Sequence, residues 1–581
     1  MSSAAAILSA EALTKSFSAD GKRVVALDAI TLRIRSGVVT GLIGADGAGK
    51  TTLMRLAAGL LVPDGGRITA LGLDATRESL QVQSMLGYMP QRFGLYEDLS
   101  VQENLDLYAD LQGVPVTARA ARYAELMHMT GLAPFTRRLA GRLSGGMKQK
   151  LGLACTLVRA PRLLLLDEPT VGVDPISRRE LWAIIERLVR EEGMSVLLST
   201  AYLDEAERCA EVVLIHEGRI LDQGQPATMT ARMAGRTWAV SRPGTRQRDL
   251  QSELVVQPGV VDALVQGEHV RLVMAEPGVP AWVADHAGLE IQPVPPRFED
   301  SFIDLLRERQ RTPMHVSTMD GATRTAEPSP DAVVIRVSKL KRRFGDFWAV
   351  DGVDFEIRRG EIFGLLGANG AGKTTTFRML CGLLPPSAGQ LDVAGYDLRH
   401  AAAAARQRIG YMSQKFSLYG NLSAVQNLEF FASAYGLTGG ARLARIDWAL
   451  GEFELADYAG QLSADLPLGY KQRLAMACAL MHQPDILFLD EPTSGVDPMA
   501  RREFWQRING LARHGVTILV TTHFMEEAEY CDRLAIMAAG RVLATDEPAA
   551  IKAMARSAEH PEPSMEDAFI HLIDSAEVAT I

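Results

Sequence analysis

Four short apolar runs stand out because each ends at a glycine-rich or acidic turn. Val38–Ile43 and Ile362–Leu366 lead into glycine-rich loops, whereas Leu163–Leu166 and Ile486–Leu489 end in Asp-Glu. The last two runs are apolar at every position, which is typical of central parallel strands buried on both faces. Other short strands are predicted at Val24–Ile34, Val333–Val337 and Ala349–Ile357. The pattern predicts an α/β fold.

The chain repeats itself at a fixed distance. Three pairs of equivalent residues show the shift: Lys50 and Lys373, Gln91 and Gln414, Asp167 and Asp490. The members of each pair are 323 positions apart. A constant shift over such a span indicates two homologous domains with no insertion between these points.

The segment Leu143–Gln149 has the features of a turn that opens a helix. Ser144 is a favourable N-cap residue, and the next two glycines leave the backbone N–H groups unobstructed. The apolar run Leu151–Leu157 continues the helix. Because the first N–H groups of a helix lack partners, its start binds anions. Alone, the segment fits a phosphate-binding cap and an ordinary serine-capped helix equally well.

Composition limits the class of protein more than its activity. The 581 residues suffice for several domains, and no stretch approaches the roughly 18–20 apolar residues of a membrane span. The N-terminus lacks a basic segment before its apolar stretch, so a signal peptide is not expected. A net charge of −9 does not favour nucleic acid as a partner. The five scattered cysteines, without CxxC spacing, predict free thiols in a reducing compartment.

Each glycine-rich loop follows a predicted strand and precedes a predicted helix, which is the context of a P-loop. Backbone N–H groups of the loop cradle phosphates, while Lys50 or Lys373 reaches the β/γ oxygens and Thr51 or Thr374 binds Mg²⁺. The predicted ATP-binding residues are Gly44, Ala45, Asp46, Gly47, Ala48, Gly49, Lys50, Thr51, Thr52, Gly367, Ala368, Asn369, Gly370, Ala371, Gly372, Lys373, Thr374 and Thr375. Asp46 stands where the second copy has Asn369, and its carboxylate is a mild electrostatic cost near triphosphate.

The Asp-Glu pairs lie at the carboxyl ends of predicted central strands, where α/β folds bind ligands. We expect Asp167 and Asp490 to hold Mg²⁺, through water. Glu168 and Glu491 are then placed to polarise the attacking water. A solvated acidic strand end is the weaker interpretation, because both copies accompany a P-loop.

These segments, with the loops at Asp174 and Asp497, together resemble ABC-type nucleotide-binding domains over residues 1–228 and 331–550. The resemblance implies that the two halves form a head-to-tail dimer. Each ATP then lies between the P-loop of one half and the signature helix of the other. The intact signature residues are Ser144, Gly145, Gly146 and Gln149.

The resemblance also assigns roles outside the P-loops. Gln91 and Gln414 sense nucleotide, take part in the Mg²⁺ site and touch a membrane partner. Phe17 and Phe344 occupy the position at which the family stacks an aromatic ring on adenine. A core-strand role is the alternative for these two rings, since each sits beside a strand.

The two halves differ at the family's functional positions. In the second half, Pro467 replaces the signature serine and Leu468 replaces the first glycine. The switch histidine of the family matches His523, whereas the first half has Ala201. In the implied dimer both defects fall in the site of Lys50 and Glu168. We therefore predict one hydrolytic site, with Lys373, Glu491 and His523 facing Ser144–Gly146, and one site that mainly binds ATP.

Residues 229–311 leave the repeat. Strand-like and helix-like stretches follow in the order strand (Arg236–Ser241), helix (Arg246–Leu254), strand (Val260–Val265), strand (Val270–Met274), helix (Pro280–Ala287) and strand (Glu290–Val294). This order predicts a small ferredoxin-like α+β appendage. A flexible linker is predicted at 312–330, and a short C-terminal appendage at 551–581.

Two segments, Pro296–Ile303 and Pro563–Ile570, share a P-x-[MF]-E-D-x-F pattern. The pattern resembles the C-terminal appendage of bacterial ABC-2 type drug-exporter ATPases. An amphipathic helix that docks on its own domain is the alternative, and both interpretations are compatible.

The resemblance implies the ATPase of an exporter for drug-like or other hydrophobic substrates. Its partners would be ABC-2 type permease subunits, two in number, which hold it at the cytoplasmic face of the inner membrane. Neither nucleic acid nor a membrane span of its own is expected. Two alternatives stay open: a ribosome-associated ATPase of the ABC-F class, and a fused importer ATPase. The first usually has a basic helical arm between its domains, which is missing at 229–330.

Overall fold

The computed structural model describes residues 6–19, 22–91, 94–309, 319, 322, 332–558 and 560–578. The chain divides into two units, residues 1–234 with 295–309 and residues 235–294 with 310–581. Apart from Met319 and Ala322, the predicted linker 312–330 lies outside the described residues. In the described part of the chain, no helix combines the length and apolar character that a membrane crossing requires.

The first unit holds the first ATPase domain. Its strands are β1 (Ala6–Ala19), β2 (Lys22–Arg35), β3 (Val39–Ile43), β4 (Gly65–Ala70), β5 (Leu73–Asp74), β6 (Leu86–Met89), β7 (Leu163–Asp167), β8 (Ser195–Thr200), β9 (Glu211–His216) and β10 (Arg219–Gly224). Its helices are α1 (Lys50–Ala57), α2 (Ser79–Met85), α3 (Val101–Leu111), α4 (Val116–Thr130), α5 (Gly145–Leu157), α6 (Pro175–Glu192), α7 (Leu203–Arg208), α8 (Pro226–Ala231) and, after the appendage, α10 (Phe298–Arg309).

Two sheets build this domain. The antiparallel sheet has the order β2-β1-β4-β5, and the mainly parallel sheet has the order β10-β9-β3-β8-β7-β6. All residues of β3, β7 and β8 are buried, as the apolar runs predict. Because β3 and β7 are parallel strands of one sheet, their carboxyl ends bring the P-loop and the first Asp-Glu pair to one edge.

The second unit contains the appendage sheet and the second ATPase domain. The appendage comprises β11 (Thr237–Ser241), α9 (Gln247–Leu254), β12 (Val260–Gln266), β13 (His269–Met274) and β14 (Glu290–Pro293), with a 3₁₀ turn at Ala281–Asp285. The strands of the ATPase domain are β15 (Val333–Phe344), β16 (Phe347–Arg358), β17 (Ile362–Gly367), β18 (Ala388–Val393), β19 (Tyr396–Asp397), β20 (Ile409–Met412), β21 (Ile486–Asp490), β22 (Thr517–Thr522), β23 (Arg533–Ala538) and β24 (Arg541–Asp546). Its helices are α11 (Lys373–Leu380), α12 (Leu398–Arg406), α13 (Ala424–Ala434), α14 (Gly439–Glu452), α15 (Leu468–Ala479), α16 (Pro498–Arg513), α17 (Met525–Ala528), α18 (Pro548–Ala553) and α19 (Met565–Val578).

The second ATPase domain repeats the two sheets of the first, in the orders β16-β15-β18-β19 and β20-β21-β22-β17-β23-β24. The prediction of two α/β domains of one kind is therefore confirmed. The five cysteines are free and buried, as expected from their spacing.

The appendage sheet has the order β12-β13-β11-β14 with antiparallel neighbours, which is the ferredoxin-like arrangement that the element order predicts. Its core lies between the sheet and α9 and includes Trp238, Leu250 and Leu272. The predicted second helix at Pro280–Ala287 is wrong in extent. It is a 3₁₀ turn at Ala281–Asp285, because Pro280 caps one side and Gly288 adopts a positive φ of 80° on the other.

The predicted appendage 229–311 is not one body and needs correction. Its sheet belongs to the second unit, whereas α10, which carries the Glu-Asp-x-Phe pattern, belongs to the first. Helix α10 packs on α7 and α8 through buried Phe298, Phe302 and Ile303. The corresponding C-terminal helix α19 packs on α17, α18 and β24 through the side chains Met565 and Phe569, among others. Docking of each helix on its own ATPase domain is thereby confirmed.

Candidate functional site

Each P-loop runs directly into a helix whose first residue is the predicted lysine, Lys50 for α1 and Lys373 for α11. The two lysines are 4% and 5% exposed. The Nζ of Lys50 donates to the carbonyls of Gly44 and Ala45 at 2.9 and 3.0 Å. Lys373 repeats the pattern with Gly367 O at 2.7 Å and Ala368 O at 3.2 Å. Each ammonium group is thus held inside the curve of its own loop, where it is ready for phosphate oxygens.

Glycine is required at the last loop position for two reasons. Gly49 and Gly372 adopt φ angles of 105° and 101°, which disfavour other residues. A Cβ atom on either one would lie 2.5 Å from a carbonyl oxygen, of Ala26 or Ala349. The loop can therefore turn tightly and present successive N–H groups, a donor set that fits the phosphates of ATP.

A hydroxyl group that the sequence analysis missed joins each Asp-Glu pair. Ser199 Oγ donates to Asp167 Oδ1 at 2.7 Å and accepts from the backbone N–H of Glu168 at 2.9 Å. In the second domain Thr521 bonds Asp490 Oδ1 at 2.7 Å and the N–H of Glu491 at 2.9 Å. The recurrence of a hydroxyl residue near the end of the strand after each Asp-Glu pair was a sequence signal that could have revealed it.

The two glutamates that are predicted to be catalytic have an unusual backbone conformation. Glu168 and Glu491 have φ angles of 52° and 46°, in the left-handed region. Such a conformation costs about 1–3 kcal/mol in a residue other than glycine and persists only where the surroundings enforce it. Both copies adopt this strained backbone conformation, and in both the glutamate carboxylate lies beside the lysine of its P-loop.

The surroundings of the two glutamates differ. Glu168 Oε1 lies 3.3 Å from Lys50 Nζ, and Gln91 Nε2 donates to Oε2 at 2.5 Å. Burial raises the pKa of Glu168 despite the nearby lysine. The glutamate of the first site therefore binds a proton more readily than an exposed glutamate does.

In the second site, Glu491 Oε2 accepts from Gln414 Nε2 at 2.8 Å and lies 3.3 Å from His523 Nδ1. Burial raises the pKa of Glu491, but the hydrogen bond and charge of His523, followed by Lys373 and Gln414, outweigh it and leave the pKa below its usual value. An ionised carboxylate is the form that accepts a proton from water. The second site thus favours the reactive form of its glutamate.

The two halves also differ at the predicted switch position. His523 is buried, and its Nε2 has no hydrogen-bond partner within the described residues. A buried polar atom without a partner is costly, so it marks a place for a ligand acceptor such as a phosphate oxygen. The first half has Ala201, whose methyl group cannot replace that contact.

The two signature segments have different helix starts. In the first unit Ser144 caps α5, and its side chain accepts from the N–H of Met147 at 3.3 Å. In the second unit Pro467 precedes α15 without a side-chain cap, and the ring of Tyr470 contacts that of Tyr458 at a tilt of 35°, with ring centroids 4.1 Å apart. The second segment therefore lacks the side-chain cap of the first, and the predicted loss of activity there stays a prediction. The pairing of each signature with the opposite P-loop concerns both units and stays a prediction.

Phe17 and Phe344 lie at the ends of equivalent hairpin strands, opposite Val24 and Phe347. They are 41% and 46% exposed, so the alternative of a core-strand role is wrong. Exposed rings suit stacking on a base, and this role stays a prediction.

The predicted Mg²⁺ residues comprise, in each half, one threonine, one aspartate and one glutamine: Thr51, Asp167 and Gln91, and Thr374, Asp490 and Gln414. Among described residues there is no group of three or more His, Cys, Asp or Glu side chains that could hold a metal. Hard oxygen donors fit Mg²⁺, which takes its other ligands from phosphates and water. The residues present are compatible with a nucleotide-bound metal.

A second pair of buried carboxylates was missed altogether. Glu205 accepts from Thr170 Oγ1 at 3.0 Å and from Trp182 Nε1 at 3.1 Å. Glu527 accepts from Thr493 and Thr522, at 2.5 and 2.6 Å. Glu205 thus links the loop after the first Asp-Glu pair to α6, and Glu527 links the loop after the second pair to β22. No local sequence pattern indicates such a role, because an acidic residue on a short helix is usually solvated.

Comparison with known proteins finds chains of similar sequence. The profile of the family described as ABC transporter matches residues 27–171 and 350–494. The chain is 52% identical, over 98% of both chains, to the "Probable multidrug ABC transporter ATP-binding protein YbhF" of Escherichia coli (strain K12).

Single-domain relatives match a smaller part of the chain. The "Nod factor export ATP-binding protein I" of Cupriavidus metallidurans is 41% identical over 37% of this chain and 71% of its own length. The "Daunorubicin resistance ATP-binding protein DrrA3" of Streptomyces coeruleorubidus is 42% identical over 36% of this chain and 67% of its own.

Proposed function

We propose that this chain, which belongs to the ABC transporter family, is the ATP-hydrolysing subunit of an exporter whose permease subunits are separate polypeptides. Membership in the family makes the chain an ATP-binding ATPase with two such domains. The proposal concerns which site hydrolyses ATP and what the hydrolysis drives. The observation that carries it lies in the second site, where the buried Nε2 of His523, beside Glu491, has no hydrogen-bond partner among the residues that the structure describes.

In the proposed reaction the second site performs hydrolysis. Lys373 and the loop N–H groups bind and orient the phosphates, and His523 donates to the terminal one. Glu491, kept ionised by His523, orients the attacking water and accepts its proton. Thr374, Asp490 and Gln414 would hold Mg²⁺, which would supply positive charge to neutralise the phosphates.

The first site mainly binds ATP. Burial raises the pKa of Glu168, Ala201 offers no donor, and the signature that the family would place opposite it has lost its serine cap. Each difference removes a group that hydrolysis would use but leaves Lys50 and its loop, which bind the phosphates, intact. Bound ATP there would stabilise the closed dimer, since a ligand favours the state that it binds more tightly.

The proposed partners are two permease subunits of the ABC-2 type, which hold the chain at the cytoplasmic face of the inner membrane. The names of the relatives, which mention multidrug transport, Nod factor export and daunorubicin resistance, support export of hydrophobic or drug-like molecules. Gln91 and Gln414, bonded to the catalytic glutamates, would connect permease movement with the state of each site.

Mutation of the two glutamates tests the assignment of hydrolysis. In purified chain with its permeases, Glu491→Gln is expected to abolish steady-state ATP turnover, while Glu168→Gln retains most of it. The reverse pattern would refute the assignment. Co-purification with membrane permeases tests the exporter function, and co-sedimentation with ribosomes instead would favour the ABC-F class.

A further inference from the structure

The appendage domain, defined as residues 235–294, packs on helix α16 of the second ATPase domain within one unit. Two pairs of buried groups join them. Asp262 forms an ion pair with Arg502, and the two side chains are 3% and 6% exposed. Gln251 Oε1 accepts from Asn509 Nδ2 at 2.8 Å. Charged groups this deeply buried are tolerated only when paired, so the contact is specific.

The appendage domain makes a third contact at the start of β17, the strand that leads to the second P-loop. Arg248 donates to the carbonyl of Gly360 at 3.1 Å and forms an ion pair with Asp532. Asp532 in turn accepts from the N–H of Ile362 at 2.8 Å. The appendage domain is thus bonded both to a helix and to the central sheet of the second ATPase domain.

The first ATPase domain provides an internal comparison. Helix α6 is the counterpart of α16, with Arg179 and Glu186 at the positions of Arg502 and Asn509. Both residues of α6 are exposed, whereas both residues of α16 are buried. The buried face is therefore not a property of the ATPase fold. It results from the appendage domain and occurs on the helix of the second domain.

Arg501, the residue directly before Arg502 on α16, contacts the segment that follows the switch histidine. The guanidinium of Arg501 lies 4.2 Å from the ring centroid of Phe524, and this ring is stacked on His523 at 4.5 Å. Arg501 Nε also lies 3.7 Å from the carboxylate of Glu527. Neighbouring residues of one helix therefore contact the appendage domain on one side and the switch histidine's surroundings on the other.

Glu527 connects this helix to the loop after Glu491 and to the strand before His523. It accepts from Thr493, two residues after Glu491, and from Thr522, one residue before His523. The carboxylate is fully buried, so its position depends on these partners and on Arg501.

We propose that the appendage domain is a positioning element of the second ATPase site. By pairing Asp262 with Arg502 it fixes α16, and Arg501 then holds Phe524 and Glu527 where His523 can meet the nucleotide. Asp262 and Arg502 are positioning residues that touch no substrate. This inference rests on the proposed function, because it assigns control to the site that is proposed to hydrolyse ATP.

The test separates turnover from binding in the full chain. Asp262→Asn is expected to lower kcat for ATP about tenfold, the order that coupling through packed residues produces. The KM and the affinity for a fluorescent ATP analogue should change less than about twofold, since Lys373 and its loop are untouched. The apolar double variant Asp262→Leu/Arg502→Met, which leaves no unpaired charge, should keep the appendage docked and recover most of the turnover.

The control lies at the exposed end of the same interface, where Asp249 pairs with Arg513 at 3.2 Å. Asp249→Asn should leave kcat within twofold of the wild type. Limited proteolysis reports whether the appendage domain stays docked in each variant. The inference is overturned if Asp262→Asn exposes the domain to protease without changing kcat, or if KM rises while kcat is unchanged.

Failure of the inference can be told from failure of the proposed function. If Glu491→Gln leaves turnover intact, hydrolysis is not at the second site and both fail. If Glu491→Gln abolishes turnover and Asp262→Asn does not lower it, the positioning role alone is refuted.

Discussion

Removal of the Thr521 hydroxyl tests how the second site holds its two carboxylates. Thr521 is fully buried; it donates to Asp490 at 2.7 Å and accepts from the N–H of Glu491 at 2.9 Å. Thr521→Val keeps the shape but removes both bonds. A hydrogen bond to a charged group contributes about 1.5–3 kcal/mol, so we expect the free energy of unfolding to fall by about that amount at neutral pH.

The pH dependence sharpens the prediction. Burial raises the pKa of Asp490, and the hydrogen bond from Thr521 opposes that rise. Without the hydroxyl the pKa rises further, so the folded state favours the protonated form more strongly. The loss of stability should therefore be largest above the raised pKa values that Asp490 has in the two folded proteins, and it should shrink as the pH falls through these values and the carboxyl group becomes protonated in both.

The raised pKa of Asp490 should also change the pH dependence of activity. Because the ionised carboxylate of Asp490 is needed, the acid limb of kcat against pH should move to higher pH in Thr521→Val. Thr521→Ser is the matched control, since the first domain already has Ser199 at this position with the same two bonds. Urea unfolding and pH–rate profiles measure both effects. Equal profiles for the valine and serine variants would refute the reasoning.

Two further predictions concern the first site and the P-loop. In a background that lacks the second catalytic glutamate, the combined changes Ala201→His, Pro467→Ser and Leu468→Gly should restore measurable ATP turnover, and continued inactivity would contradict the proposed cause of degeneration. Gly372→Ala should lose ATP binding at the second site, so that a filter assay retains only the binding of the first site, because φ is 101° and the new methyl group would meet a carbonyl oxygen at 2.5 Å. Gly370→Ala, with φ of 84° and open space, should retain more binding and lose only about 1–2 kcal/mol of stability to backbone strain.

The catalytic loops could be predicted because their function depends on consecutive residues. A P-loop requires glycines at fixed spacing, and the lysine and threonine follow at once, so Gly44–Thr52 and its repeat contain their own evidence. The asymmetry at Ala201 and His523 was visible for the same reason, since the repeat provides an internal alignment.

Other parts of the sites could not be predicted in this way. Ser199 and Thr521 act through side chains that cross to a neighbouring strand, and Glu205 and Glu527 act through burial. Burial is a property of the packed domain. An acidic residue in a short helix has the same local sequence whether water or a threonine surrounds it.

The sequence by itself determined the two ATPase domains, their order, the loops that bind phosphate and the substitutions that distinguish the second site from the first. These features are local, because hydrogen bonding by the backbone and the period of apolar residues act over a few positions. Tertiary structure alone decided that the appendage domain packs on α16, where Asp262 meets Arg502. The two residues are far apart in the chain, and the equivalent positions of α6, Arg179 and Glu186, are exposed. The choice depends on contacts that form only when the two domains pack, among them the buried ion pair of Asp262 with Arg502.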